Sequence, residues 1–98
     1  MLDIIESGTF KAWFASLRDR QAKARIDARI RRLGLGNPGQ CRVLKGKVCE
    51  MKIDYGPGYR VYYTMRNNVF VVLLCGGDKA TQQSDIEIAM HIAKQWKS

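Results

Sequence analysis

Ninety-eight residues with 46% hydrophobic content make one globular domain, residues 1–98, and leave no room for a regulatory module or a large cofactor-binding fold. The hydrophobic share is too high for a disordered chain, and the longest apolar run, Val69 to Cys75, falls far short of the roughly 18 residues a membrane span needs. Seventeen Lys+Arg against 9 Asp+Glu, a net of +8, favour a polyanionic partner, either nucleic acid or an acidic protein.

Met1 to Glu6 has no basic start followed by a long apolar core, so it does not read as a signal peptide. Cys41, Cys49 and Cys75 form no CxxC pair and no metal-ligand spacing with the single His91. The expected setting is a reducing cytoplasm, with no disulfide framework, no metal and no cofactor.

Leu2 to Ile5 reads as an edge or first strand, and Ser7 or Thr9 can cap the helix that follows. Phe10, Trp13, Phe14 and Leu17 then recur at i, i+3, i+4 and i+7, an apolar stripe that packs into a core. A second amphipathic run places Ala22, Ile26, Ile30 and Leu33 on one side, and the short Arg18 to Arg20 link suits an antiparallel helical hairpin. Gly34 to Gly39, with Pro38 inside it, ends the second helix.

Beyond Gly39 the period becomes strand-like. Cys41 to Leu44 is a short strand, Lys45 to Lys47 a turn, and Val48 to Tyr55 alternates. Gly56-Pro-Gly58 turns the chain into Tyr59 to Met65, and Arg66-Asn-Asn68 is a hairpin signal. Val69 to Cys75 reads as a central strand buried on both faces, after which Gly76 to Lys79 leaves the sheet. From about Thr81, Ile86, Ala89, Met90, Ala93 and Trp96 restore a helical period. The expected fold is α+β, β-α-α-β-β-β-α, a twisted and mostly antiparallel sheet with the N-terminal helical hairpin packed on it.

Charge is concentrated in one block. Residues 21–47 hold eight cations (Lys23, Arg25, Arg29, Arg31, Arg32, Arg42, Lys45, Lys47) against Asp27 alone, a net of +7. Arg25, Arg29 and Arg32 follow at i, i+4 and i+7 on one helix face, where like charges repel, so an anionic partner is expected there. Sequence alone leaves RNA and an acidic protein both open.

Two signatures join this order of elements: Glu50-Met-Lys-Ile-Asp-Tyr-Gly-Pro-Gly-Tyr-Arg-Val-Tyr-Tyr63 and Leu73-Leu-Cys-Gly-Gly-Asp-Lys-Ala-Thr-Gln82. With Leu17-Arg-Asp19, Ala24-Arg-Ile26 and the Arg29 to Leu33 segment, the chain resembles the RelE/ParE toxin superfamily over nearly its full length. More narrowly it is similar to the HigB-like, or phage-derived addiction module killer protein, branch. The resemblance implies a RelE-like fold and a ribosome-dependent messenger-RNA endonuclease, in which the ribose 2′-hydroxyl attacks the adjacent phosphate. It also implies a cognate antitoxin, usually a helix-turn-helix protein, through which alone the toxin meets operator DNA. No membrane partner is implied.

Internal phosphoryl transfer needs a base for the 2′-proton, positive donors for the phosphorane and an acid for the leaving oxygen. Alternation puts Glu50 and Lys52 on one strand face, with Met51 and Ile53 turned to the core. Arg60, with Tyr62 on its face, lies across the turn, and Lys79 comes off the central strand where RelE-like toxins keep a basic residue. The expected catalytic set is Glu50, Lys52, Arg60 and Lys79, gathered on the exposed concave side of the sheet. Arg60 stabilises the transition state, Glu50 is the natural base with Lys52 its competitor, and Lys79 binds phosphate or donates a proton. Arg25, Arg29, Arg32, Arg42, Lys45, Lys47 and Tyr62 are the expected RNA-binding residues, Tyr62 by stacking on an unpaired base. Asp78, which could orient Lys79 or cap a turn, and Gln82 are secondary candidates. Tyr59, opposite Arg60 in the alternation, belongs to the core.

Several relatives carry a histidine or a C-terminal tyrosine in the catalytic set; here Gln82, Gln83 and Asp85 follow Lys79, and His91 lies well into the last helix. Two other readings share the fold. One is a ParE-like toxin that inhibits DNA gyrase without cutting RNA. The other is a degenerate toxin surviving as an antitoxin-binding or DNA-binding co-repressor.

Overall fold

Two helices on one face of a five-stranded sheet and a third on the other make up the computed structural model, which describes residues 1–97. In chain order these are β1 (Asp3–Glu6), α1 (Gly8–Ser16), α2 (Arg20–Gly34), β2 (Cys41–Val43), β3 (Val48–Ile53), β4 (Tyr59–Arg66), β5 (Phe70–Gly77) and α3 (Gln82–Gln95). The sheet order is β1-β5-β4-β3-β2, parallel between β1 and β5 and antiparallel elsewhere. Four strands follow the helical hairpin rather than three. The three-residue β2 is a full member of the sheet despite having every residue exposed, because it pairs with β3 from Cys41 to Val43.

Local chemistry sets the boundaries. Ser7 caps α1 by accepting from the Phe10 amide at 3.0 Å while its own hydroxyl donates to the Leu74 carbonyl, which ties the helix start to β5. Asp19 caps α2 through the amides of Gln21 and Ala22. Asn67 and Asn68 both have positive φ, the backbone a tight β4–β5 hairpin requires.

The hairpin of α1 and α2 buries Phe10, Ile26 and Leu33 against Met51, Ile53, Val61 and Leu73. Tyr59 packs against this cluster, edge-on to Trp13. Full burial of a side chain such as Ile26 or Leu33 contributes about 1.5–3 kcal/mol, enough to fix the roll of α2 on the sheet. The opposite face was expected to present an exposed concave side for the catalytic set. Instead α3 covers much of it, packing Ala89 and Ala93 on Val48, Tyr62, Val72 and Leu74. What stays open is a cleft at the β2–β3–β4 end.

Strand β5 also runs two residues beyond its expected end at Cys75. Tyr62 pairs with Cys75 and Tyr63 with Leu73, so Leu74 is an extra residue, a bulge that turns both Leu74 and Cys75 toward α3. Gly76 and Gly77 then complete the strand, because a Cβ would strike the Trp13 ring on one face and the Asp85 carboxylate on the other.

Candidate active site

Strand register assembles the cleft in two cross-strand rows. Arg42 pairs with Glu50 and Glu50 with Tyr62 in one row; Lys52 pairs with Arg60 in the next. Gln40 extends the second row, its carbonyl accepting from the Lys52 amide at 3.2 Å. Gln82, the first residue of α3, reaches in from above. Together Gln40, Cys41, Arg42, Glu50, Lys52, Arg60 and Gln82 line a cleft of about 420 Å³.

Glu50 is the centre of this arrangement and only 5% exposed. Arg42 Nε donates to Oε1 at 2.8 Å; Gln82 Nε2 and the Tyr62 hydroxyl donate to Oε2 at 2.8 and 3.1 Å. Burial alone would raise the Glu50 pKa, but the bonds from Arg42, Gln82 and Tyr62 outweigh it and hold the carboxyl below the ordinary 4.5. Burial and the Glu50 charge beside it push the Tyr62 phenol well above the usual value, so it stays a proton donor.

Arg60 is 7% exposed. Its Nη1 donates to the Gly58 carbonyl at 2.7 Å, and its Nε lies 3.8 Å from Glu50 Oε2, buried and without a hydrogen-bond partner. Lys52 stands directly across from it. Three cations therefore share the cleft with one acid, and two of them form a cross-strand pair, an arrangement of like charges that is unfavourable when nothing offsets it.

Glu50, Lys52 and Arg60 thus come together as expected, joined by Arg42 and Gln82. Lys79 does not line the cleft; it opens the turn before α3, exposed, with its Cβ beside Gly58, which Arg60 Nη1 also flanks. Asp78 caps that turn, accepting from the amides of Ala80 and Thr81.

Two expected RNA contacts are corrected. Tyr62 has no exposed surface, since α3 closes over it, so its ring has no free face for a base. Arg29 is half-buried and donates to the carbonyls of Lys52, Pro38 and Gln40 at 2.8, 3.1 and 3.1 Å, holding the α2–β2 loop to β3 rather than facing outward. Arg25 and Arg32 are exposed, Arg25 lying over the Tyr55 ring. Lys45 and Lys47 are exposed on the turn before β3, at the end of that strand away from Lys52. His91 is exposed on α3.

Gln40 was missed by sequence reasoning. Extending the β2–β3 register by one pair past Cys41 places it opposite Lys52, so the signal was present in the hairpin spacing.

No helix among the described residues is long and apolar enough to cross a membrane. Over 87 residues the chain is 47% identical to an uncharacterised protein of Haemophilus influenzae, covering 89% of this chain and 88% of that one. The family model described as phage derived protein Gp49-like matches residues 12–97, which include every cleft residue. The chain belongs to this phage-derived, Gp49-like family.

Proposed function

We propose that the protein is the toxin of a bacterial type II toxin–antitoxin module, an endoribonuclease that cuts messenger RNA on the ribosome without a metal. The observation that carries this reading is the cation excess of the cleft, where Lys52 opposes Arg60 and Arg42 adds a third charge against Glu50 alone. A bound phosphodiester supplies the missing negative charge, and the phosphorane formed from it supplies more. The association of the Gp49-like family with RelE and addiction-module toxins supports the class.

In this mechanism Arg60 and Lys52 hold the scissile phosphate, and Arg42 reaches it from the rim. Glu50 is ionised, and Oε1 accepts a single hydrogen bond, from Arg42, which leaves a lone pair for the 2′-hydroxyl proton. The freed 2′-oxygen attacks phosphorus and the bond to the 5′-oxygen breaks. The products are a 2′,3′-cyclic phosphate and a 5′-hydroxyl, the latter protonated by Lys79 from beside Gly58. Tyr62 and Gln82 hold Glu50 in place.

Among the described residues no aromatic ring lines the cleft, so bases are not gripped there by stacking and the ribosome has to present the message. Arg25, Arg32, Lys45 and Lys47 supply contacts to RNA that salt weakens. The site of action is the cytoplasm, and the neutralising partner is a cognate antitoxin that brings the toxin to operator DNA.

Primer extension on a message translated by purified ribosomes tests this. Wild type gives defined cuts bearing cyclic phosphate ends, and Arg60→Ala lowers the rate about 10²–10³-fold. Cleavage by Arg60→Ala at the wild-type rate overturns the assignment. An intact message together with loss of gyrase supercoiling selects the ParE-like reading instead.

A further inference from the structure

Cations in the cleft hold a phosphate whichever nucleotides flank it, so those contacts carry no information about base sequence. Bases are told apart by neutral groups that set a donor beside an acceptor. Two side-chain amides line the cleft, Gln40 and Gln82. Gln82 has its Nε2 committed to Glu50 at 2.8 Å. Gln40 is exposed, and its side-chain amide makes no hydrogen bond among the described residues.

The backbone beneath that amide is clamped. The Gln40 carbonyl accepts from the Lys52 amide at 3.2 Å and from Arg29 Nη2 at 3.1 Å, and the same Nη2 donates to the Pro38 carbonyl. Gly39 permits the clamp: its φ is +68°, and a Cβ there would meet Arg29 Nη2 at 3.0 Å. The bond from Lys52 carries the β2–β3 register one pair past Cys41, so alternation puts Gln40 on the face of Arg42, Glu50 and Lys52. A free amide thus stands on a fixed stem, one strand spacing (about 4.8 Å) from Lys52 and two from Arg60.

The two ends of the proposed chemistry give the bound RNA a direction. Glu50 Oε1, which takes the 2′-proton, is the oxygen turned to Arg42 on β2. Lys79, the donor to the leaving oxygen, has its Cβ beside Gly58, just before β4. The nucleotide that supplies the 2′-hydroxyl therefore lies toward β2, on the side of Gln40.

We propose that Gln40 is a specificity-determining residue, whose amide pairs with the edge of the base 5′ to the cut and so selects where a message is cleaved. The inference rests on the nuclease reading and deepens it. Unpaired RNA bases expose edges on which a donor adjoins an acceptor, and a side-chain amide meets such an edge with two hydrogen bonds. That contact needs no stacking ring, which suits a cleft lined by none among the described residues.

Four messages that differ only in the base 5′ to one cut site, translated by purified ribosomes, test it when cyclic phosphate ends are counted. Wild type cuts after its preferred base about tenfold faster than after the poorest. Gln40→Met, close in length but without an amide, brings that ratio near one, and Gln40→Ala does the same. Arg60→Ala slows all four messages alike and keeps the ratio. Because each ratio is taken within one preparation, partial unfolding of a variant does not alter it. A wild-type ratio near one, or a Gln40→Met ratio equal to that of wild type, overturns the proposal and leaves the nuclease reading standing. Four messages left intact by wild type overturn the nuclease reading, and this inference with it.

Discussion

Arg29 on α2 and Arg60 on β4 both sit partly or wholly inside the protein, and each has a buried Nε with no hydrogen-bond partner. They differ in what surrounds the rest of the guanidinium. Arg29 gives three bonds to backbone carbonyls drawn from β3 and the α2–β2 loop. Arg60 gives one bond to Gly58 and faces a cleft that also holds Lys52. Two of the three carbonyls that Arg29 grips belong to Lys52 and Gln40, so the helix arginine braces the backbone on which the cleft is built. Counting charges in a sequence treats the two alike; nearby carbonyl groups decide which stays available to a ligand.

The contrast can be broken at either end. The largest effect expected is the loss of about 2.7–4 kcal/mol of transition-state stabilisation in Arg60→Ala, read as the fall in cleavage rate. Next comes Arg29→Ala, which takes a donor from three carbonyls, of which Gln40 keeps the Lys52 amide, and costs about 2–3 kcal/mol of stability in urea unfolding. An Arg29→Ala protein as stable as wild type would erase the distinction between brace and ligand-binding residue.

Tyr62→Phe removes one donor from Glu50 and costs about 1 kcal/mol. The folded Glu50 pKa lies below 4.5, so its contribution to stability is complete above that pH and is lost as the pH falls through the lowered value. The stability gap between Tyr62→Phe and wild type therefore narrows in acid. In the same variant the Glu50 pKa rises, moving the acid limb of the cleavage profile to higher pH. The smallest effect is that of Arg32→Ala, which leaves stability within about 0.5 kcal/mol and lowers the salt slope of ribosome binding by about one.

Periodicity made most of the architecture legible. The stripes of Phe10 and Ile26, the strand alternation around Met51 and the breaks at Gly34 to Gly39 and Gly56 to Gly58 all read correctly, and they were enough to put Glu50, Lys52 and Arg60 on one face. The fate of Arg29 was also readable in outline: it follows Ile26 by three residues and precedes Leu33 by four, so it borders the buried stripe even though it aligns with Arg25 and Arg32. The coverage of Tyr62 was not readable. It depends on α3 crossing the sheet face, a contact between residues about 30 positions apart with no local pattern to announce it. The pairing of Gln82 with Glu50 was hidden for the same reason.

The additional residue at Leu74 has a consequence for how the chain tolerates change. Removing it would leave Cys75 opposite Tyr62 and make the alternation regular, so Cys75, Gly76 and Gly77 would keep the partners and faces they have now. What would be lost is the Leu74 side chain under α3 and the carbonyl that accepts from the Ser7 hydroxyl. A single deletion in a central strand would thus cost packing under α3 and the tie to α1 while sparing the register of the charged centre, and a like-for-like exchange of Leu74 for another aliphatic residue would spare both.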